Sequence, residues 1–346
     1  MSYRNELAFG LDIGDRSLKV LQFRIRKHKT YLVAFGELTL PEGIIEKGEI
    51  LRSDELAKQL QALLRKTHIV AKRVVLALPE AKSFITTLNV MGANPENVEE
   101  QIRLELSKLL PYELNEVWWD FRIVSTGATG LEVLVGAAPK TLIASYQNAV
   151  KQAGLIPFIF DLEPLCIVRS MINERQTPGC VAIVDLGATK STIIVANQRT
   201  ILTTADGRSP GNELNRAIAQ RMNIELGAAE EMKYKYGARD GTEPYRAVVQ
   251  TYLATLSERI NSTISFILNR VHPGPAISEI ILSGGGSLLT GLPEALTPLL
   301  RIPVKIGDPW TNTPEAIGIQ IGVKAGIRFT TACGLALTGL TREHAI

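Results

Sequence analysis

Cysteine is scarce in this chain. Its three cysteines, Cys166, Cys180 and Cys333, form no CxxC pair and no zinc-knuckle spacing, which excludes a metal framework or a disulfide scaffold as the organising device. An odd, sparse count suits a reducing compartment, and the apolar neighbours of each thiol make all three small core residues. Charge of one sign is also missing: 38 Lys and Arg against 35 Asp and Glu leave +3 over 346 residues. Nucleic-acid binding needs basic residues gathered on one face, and the densest basic run, Arg24–Lys29, sits where a hairpin turn accounts for it. No window holds 18 uninterrupted apolar residues, so no transmembrane helix is expected. The opening MSYRNELAFG lacks the apolar core of a secretory signal. A cytoplasmic protein is the expectation. What is present is ordinary for a packed chain of about two domains: 45% apolar and 21% charged residues, enough to offset the entropy of ordering.

The patterning is mixed α/β. Ala8–Ile13 reads as a buried strand, Leu18–Arg26 and Tyr31–Leu38 as a hairpin, and Leu56, Leu60, Leu63 and Leu64 as one face of a helix capped by Ser53. Phe84 to Asp161 reads as a compact βαββαβ insert. Asn94–Pro95 opens its first helix, and Val98, Ile102, Leu106, Leu109 and Leu110 form that helix's stripe. Thr177–Pro178–Gly179 marks a boundary. Tyr245–Val271 reads as one long amphipathic helix, stopped by His272–Pro273–Gly274.

One internal similarity carries chemistry. LDIGDRS begins at Leu11 and VDLGATK at Val184, and Asp12 and Asp185 stand half the chain length apart. Each is an apolar strand ending in Asp-x-Gly. Gly14 and Gly187 let the backbone turn tightly and bring amides near a phosphate. Asp12 and Asp185 can hold Mg²⁺ through its coordinated waters. Ser17 and Lys19 on one loop, and Thr189, Lys190 and Ser191 on the other, can donate to phosphate oxygens. Two facing loops of this kind would clamp a triphosphate. A third element, Ile280 to Leu292, is an apolar strand, the triple glycine Gly284, Gly285 and Gly286 with Ser287, and a helix start, where a flat nucleoside can approach the backbone. A fourth, Glu230 and Lys233 at i and i+3 on one helix, places two polar groups within reach of a ribose or a base. Taken singly, each element also reads as an ordinary strand-to-turn junction or a solvated pair.

Together and in this order, the four elements resemble the actin, sugar-kinase and heat-shock-chaperone ATPase superfamily. The resemblance implies an α/β actin-like fold, with two RNase H-like halves around a nucleotide cleft that takes ATP or ADP with Mg²⁺. Within the superfamily, the insert resembles that of FtsA and of the type IV pilus assembly family PilM. LDIGDRSLKV, LSKLLPYELNEVWWDF and the closing TACGLALTGL are similar to PilM, and the missing linker and terminal amphipathic helix separate the chain from FtsA. The subdomains expected on this basis are 1A over 1–82, completed by 162–177 and 327–346, an SHS2-like inserted 1C over 83–161, and 2A and 2B over 178–326 with 2B near 208–250.

The resemblance further implies a cytoplasmic ATP-binding adaptor, peripheral at the inner membrane. It would capture the cytoplasmic N-terminal segment of the membrane protein PilN and link to the pilus motor ATPases, with possible self-association, in a system serving twitching motility and competence. Residue by residue, Asp12, Gly14, Ser17 and Lys19 match the first phosphate loop, and Asp185, Gly187, Thr189 and Lys190 the second. Gly211, Asn212 and Glu213 fall near the ribose, Glu230 and Lys233 on the adenosine-contact helix, and Gly284–Ser287 on the adenosine motif. For hydrolysis a residue must orient water. Glu163 is the candidate, with a first-turn helix charge as its plainer reading, while Asp161 reads as a helix N-cap. Asp15 in the first loop is unfavourable to a phosphate unless it turns away or meets Arg16, so a slow ATPase is expected at most. For the partner surface, Leu109, Tyr112, Trp118 and Trp119 offer apolar and aromatic anchors, and the adjacent tryptophans must face opposite sides of a strand. The rival readings are a filament-forming FtsA-like cytoskeletal protein and a small-molecule kinase of the same superfamily.

Overall fold

The repeated strand-Asp-x-Gly pattern folds twice into one arrangement. The computed structural model describes residues 8–340 apart from 28, 93, 95, 174–176, 178, 199, 208–210, 267, 269–275, 314–316 and 319–320. In the first half, β1 (Phe9–Ile13) runs antiparallel to β2 (Ser17–Arg26), which pairs with β3 (Lys29–Thr39). The small hairpin of β4 (Ile45–Glu46) and β5 (Glu49–Ile50) leads into α1 (Ser53–Thr67), and β6 (Arg73–Leu78) lies parallel to β1. An inserted unit follows: β7 (Phe84–Met91), α2 (Val98–Leu109), β8 (Val117–Gly127) and β9 (Gly130–Pro139). Then α3 (Lys140–Gln152) and β10 (Ile156–Leu162) return to the first sheet, and α4 (Glu163–Met171) leaves it.

The second half repeats the opening. β11 (Cys180–Leu186) is antiparallel to β12 (Ser191–Asn197), which pairs with β13 (Ile201–Asp206). Helices α5 (Gly211–Met222), α6 (Leu226–Tyr236) and α7 (Glu243–Phe266) precede β14 (Ile277–Ser283), which is parallel to β11. After α8 (Leu292–Leu300) come β15 (Val304–Ile306) beside β14, β16 (Ile317–Gly318) beside β3, α9 (Val323–Gly326) and α10 (Thr330–Leu340). The sheet orders are β10-β6-β1-β2-β3-β16 and β15-β14-β11-β12-β13-β7-β9-β8. In both halves the Asp-x-Gly strand is central, between an antiparallel hairpin partner and a parallel crossover strand.

Two findings revise the expected subdivision. β10 pairs with β6, so the inserted sheet is β7, β9 and β8 alone, while α3 and β10, expected inside an insert running to Asp161, pack with the first half. The inserted sheet is also continuous with the second half's sheet. Thr86 pairs with Thr203 of β13, and the buried Thr87 hydroxyl donates to Ile201 O at 2.6 Å. Helix α2 covers one face of the insert, burying Val98, Ile102 and Leu106 against Val90, Leu131, Val133 and Val135. Among helix ends, α1 begins at Ser53 itself, whose hydroxyl bonds Gln152 rather than capping. The Pro95, Pro178 and His272–Pro273–Gly274 signals, and the start of 2B at 208, lie outside the described residues.

The last helix is structurally central. α10 lies on β1 and against α4, and its residues from Thr330 to Ala336 are buried. A methyl group on Gly334 would collide with Cys166 O of α4, so glycine permits that close approach. A buried ion pair fastens the corner: Arg169 Nη1 lies 2.6 Å from Asp161 Oδ2, and Thr338 Oγ1 donates to the same oxygen at 3.1 Å. Asp161 is therefore no N-cap, since α4 starts at Glu163 after Leu162. Stranding a buried carboxylate is costly. Arg169→Met should lower stability by about 3 kcal/mol, and Thr338→Val by about 1 kcal/mol, read from urea unfolding midpoints.

Candidate functional site

The strand ends that carry the two aspartates face one cleft. In the first loop, Gly14 N donates to Ser17 O at 3.0 Å, closing the turn that starts β2. Asp12 stands across from Lys19 in register, with Lys19 Nζ 3.4 Å from Asp12 Oδ2. Burial pushes the Asp12 carboxyl above the usual carboxylate range, Lys19 pulls it back, and Glu163 pushes it further up. Arg16 pairs with Glu42 rather than with Asp15.

In the second loop, Gly187 N donates to Lys190 O at 2.9 Å. The first amides of α5 brace this loop: Gly211 N donates to Gly187 O at 2.9 Å and Asn212 N to Ala188 O at 3.0 Å. The backbones of Gly211 and Asn212, expected at a ribose, thus hold loop carbonyls, and Glu213 follows them in the first turn of α5. Lys190 pairs with Glu163, whose Oε2 also accepts Glu80 N at 3.3 Å. Glu163 is the first residue of α4, so the charge pair joins the two halves across the cleft.

The glycine-rich turn is built against the second loop. Ser283 is in register with Asp185 on the neighbouring parallel strand. Gly284 has φ +75°, and a methyl group there would lie 2.6 Å from Leu186 O; one on Gly286 would lie 2.8 Å from Leu186 Cβ. These two glycines serve close packing of strand ends. Gly285 is the open one: among the described residues only Arg328 Cγ comes near, at 4.0 Å from an added methyl. Ser287 turns inward and donates to Gly284 O at 2.7 Å, capping its own turn. Lys233 of α6 projects toward the second loop, 3.9 Å from where a methyl on Gly211 would stand. Burial lowers its pKa, Glu230 opposes this only in part, and no ion-pair partner lies within reach among the described residues. Glu230 itself is exposed.

This arrangement fits a polyphosphate held with a divalent cation. Asp12, Asp185, Glu163 and Glu80 outnumber Lys19 and Lys190, and burial raises Asp12, Glu80 and Asp185. Among the described residues no three acidic, His or Cys groups could ligate a metal directly, so a cation here would be held through water by Asp12 and Asp185. Glu80 escaped sequence reading. It follows Pro79 at the end of β6, and its Oε1 accepts Thr204 Oγ1 at 3.1 Å. Its signal, an acid just after a strand-stopping proline, is too common to single out.

The aromatic surface resolves into two roles. Trp119 packs into the insert's own core, stacked on Phe121 with ring centroids 6.3 Å apart and under Arg103. It does not belong to an open surface. Trp118 is 61% exposed, with Lys140 Nζ 4.8 Å from its ring centroid, while Leu109 and Tyr112 are 48% and 43% exposed. Trp118 lies on the sheet face opposite α2, the face through which Leu134 and Ala138 pack against the first half.

Burial, then Glu163, pushes Asp185 up to about 6 from 3.8, while Lys190 pulls it down. A carboxyl that binds its proton more tightly when folded stabilises the fold at low pH, and that contribution is lost as pH rises through 6. Stability should therefore fall by about 3 kcal/mol between pH 4 and 7 through this group. Asp185→Asn should remove that slope and be the more stable protein at pH 7, as read by denaturation at both pH values.

Known proteins share this architecture. The solved PilM-PilN type IV pilus biogenesis complex superposes with a TM-score of 0.83 at 24% identity, over 97% of this chain and 99% of that one. MreB5 of Spiroplasma citri bound to ADP gives 0.54 at 12% identity, over 96% of each chain. These likenesses establish an actin-like fold. FtsA of Neisseria meningitidis serogroup B is 25% identical over 228 residues, 60% of this chain, and the match spans about half of that protein, 53%. FtsA of Enterococcus hirae is 21% identical over 87% of this chain and 78% of its own length. The model of the family "Type IV pilus assembly protein PilM" matches residues 10–340, so the chain belongs to the PilM family.

Proposed function

We propose that this chain binds ATP with Mg²⁺ in the cleft and serves type IV pilus assembly as an adaptor at the inner membrane. The convergence on one cleft of both Asp-x-Gly loops, the open face of Gly285 and Lys233, unpaired among the described residues, carries the nucleotide reading. MreB5 of Spiroplasma citri, which shares the fold, is described bound to ADP and to AMPPNP. In this reading Asp12 and Asp185 hold the hydrated cation, Ser17, Lys19, Thr189 and Lys190 meet the phosphates, and Lys233 meets the ribose or phosphates. The bound nucleotide supplies a polyanion that bridges the halves. Glu163 is held by Lys190, which orients it but also occupies it, in keeping with slow hydrolysis at most.

The partner in this reading is the cytoplasmic N-terminal segment of a PilN-like membrane protein. The similarity to a solved PilM-PilN complex supports it, as does the exposed Trp118 beside the seam between insert and first half. Linkage to the motor ATPases and self-association belong to the same proposal. Among the described residues no helix is long and apolar enough to cross a membrane, so attachment through such a partner accounts for a place at the inner membrane.

Titration with a fluorescent ATP analogue and Mg²⁺ tests the cleft: wild type binds, and Lys233→Ala weakens affinity about tenfold. Absence of binding by wild type would refute the nucleotide reading. Calorimetry with a PilN-like N-terminal peptide tests the surface. Trp118→Ala should weaken it tenfold or more, and unchanged affinity removes Trp118 from the contact.

A further inference from the structure

The first loop carries an acid where a phosphate site is expected, and the structure gives that acid a built receptor. Asp15 Oδ1 accepts Gly48 N at 2.9 Å, and Oδ2 accepts Lys47 N at 3.0 Å. Both donors form the turn of the β4–β5 hairpin, where Lys47 has φ +49° and Gly48 φ +75°. This left-handed pair belongs to a tight two-residue hairpin turn and points its amides outward at one acceptor. The turn is fixed from below, because the fully buried Tyr146 of α3 donates to Gly48 O at 3.0 Å. Asp15 is thus anchored on the first half. Its Oδ2 also accepts Thr189 Oγ1 at 3.1 Å, from the second loop, 174 residues away.

One carboxylate therefore ties both loops together at the cleft. Its partners are two amides and a hydroxyl, all neutral. The nearest cation in sequence, Arg16, is engaged with Glu42. The negative charge of Asp15 consequently stands in the cleft without an ion pair among the described residues. An incoming phosphate that takes the Thr189 hydroxyl must displace Asp15 from it and stand beside a like charge at the mouth of the cleft. Each further phosphate charge raises that cost.

Resting on the nucleotide reading above, we propose that Asp15 is a specificity-determining clasp: it closes the two phosphate loops on each other and disfavours a nucleoside triphosphate relative to a diphosphate. The wild-type cleft then holds ADP closed, and the additional phosphate of ATP is accepted only by breaking the Asp15–Thr189 bond. The cleft so built responds to the charge of its nucleotide without needing rapid hydrolysis.

The test measures affinities of fluorescent ADP and ATP analogues, each with Mg²⁺, for wild type, Asp15→Asn and Asp15→Ser in the full chain. The amide variant keeps the shape and removes the charge. The serine variant gives a second reading should the first fold poorly, with folding checked by thermal unfolding. The expected result is a rise of about tenfold in the ATP-to-ADP affinity ratio for both variants, mostly from tighter ATP. An unchanged ratio in variants that bind nucleotide overturns the clasp and leaves the nucleotide reading intact. Equal tightening of both nucleotides also overturns it, because the charge would then act without discriminating. Failure of all three proteins to bind either nucleotide overturns the underlying reading as well.

Discussion

The cleft depends on the charge pair between Glu163 and Lys190. Glu163 opens α4 of the first half and Lys190 closes the second loop, so the pair is the electrostatic link between halves. It also sits among like charges. Asp12, Asp185 and Glu80 all feel Glu163, and each is pushed upward in pKa by burial with Glu163 adding to it. Lys190 is what makes this density tolerable, since it lowers all three in turn. Buried pairs of this kind are weak evidence for stability, because desolvation consumes most of the attraction. Their value here is positional: they keep four carboxylates in one cleft while leaving it short of positive charge, which is the electrostatic setting a hydrated divalent cation fits.

The surrounding fold explains why the two lysines behave differently although the loops are repeats. Lys19 lies opposite Asp12 on the hairpin partner and neutralises its own half. Lys190 is in the loop rather than on the strand, and crosses to the other half. The first loop therefore pairs its aspartate and lysine within itself and leans outward through Asp15, whereas the second depends on its neighbours: on Glu163 for its lysine, on Asp15 for its threonine, and on α5 for two of its carbonyls.

Much of this was legible in the residues. An apolar run ending in Asp-x-Gly specifies a strand followed by a tight turn, and the triple glycine after Ile280–Ser283 specifies a turn; that Gly284 and Gly286 serve packing against Leu186, where the residues had suggested an approach for a nucleoside, was not legible. Local pattern sufficed because the causes are local. The partners of Asp15, Asp161 and Glu80 were not legible. Asp15 meets donors 32, 33 and 174 residues away, Asp161 meets Thr338 at a separation of 177, and Glu80 meets Thr204 at 124. Alternation shows that Trp118 and Trp119 point oppositely, but which face is covered is decided by α2, packed across the sheet. Likewise β10 has the pattern of a strand at 156–162, and nothing in that pattern says whether it joins the insert or the first sheet. Ser287 and Gly284 were legible as a turn but not as a turn whose side chain faces inward.

The continuity of the second sheet gives the cleft a mechanical reach. The inserted strands β7, β9 and β8 follow β13 in one eight-stranded order, joined at Thr86 and Thr203. At this seam Thr87, almost fully buried, bonds the backbone of the second half at Ile201. A buried hydroxyl cannot give up such a bond without a desolvation cost. Strand β12, next to β13, begins at the end of the second loop, one residue after Lys190. Between that loop and Trp118 there is then a continuous path of paired strands, β12, β13, β7, β9 and β8, in which each step is a backbone ladder or a buried hydroxyl bond. The opposite face of the insert packs on the first half through Ile85, Leu134 and Ala138. The insert is held by both halves, so a change in their relative position must be absorbed either at the short β7–β13 seam or at that apolar face. Trp118, in register with Ala138, stands on the same side of the insert as that apolar face and shares in whatever the face absorbs.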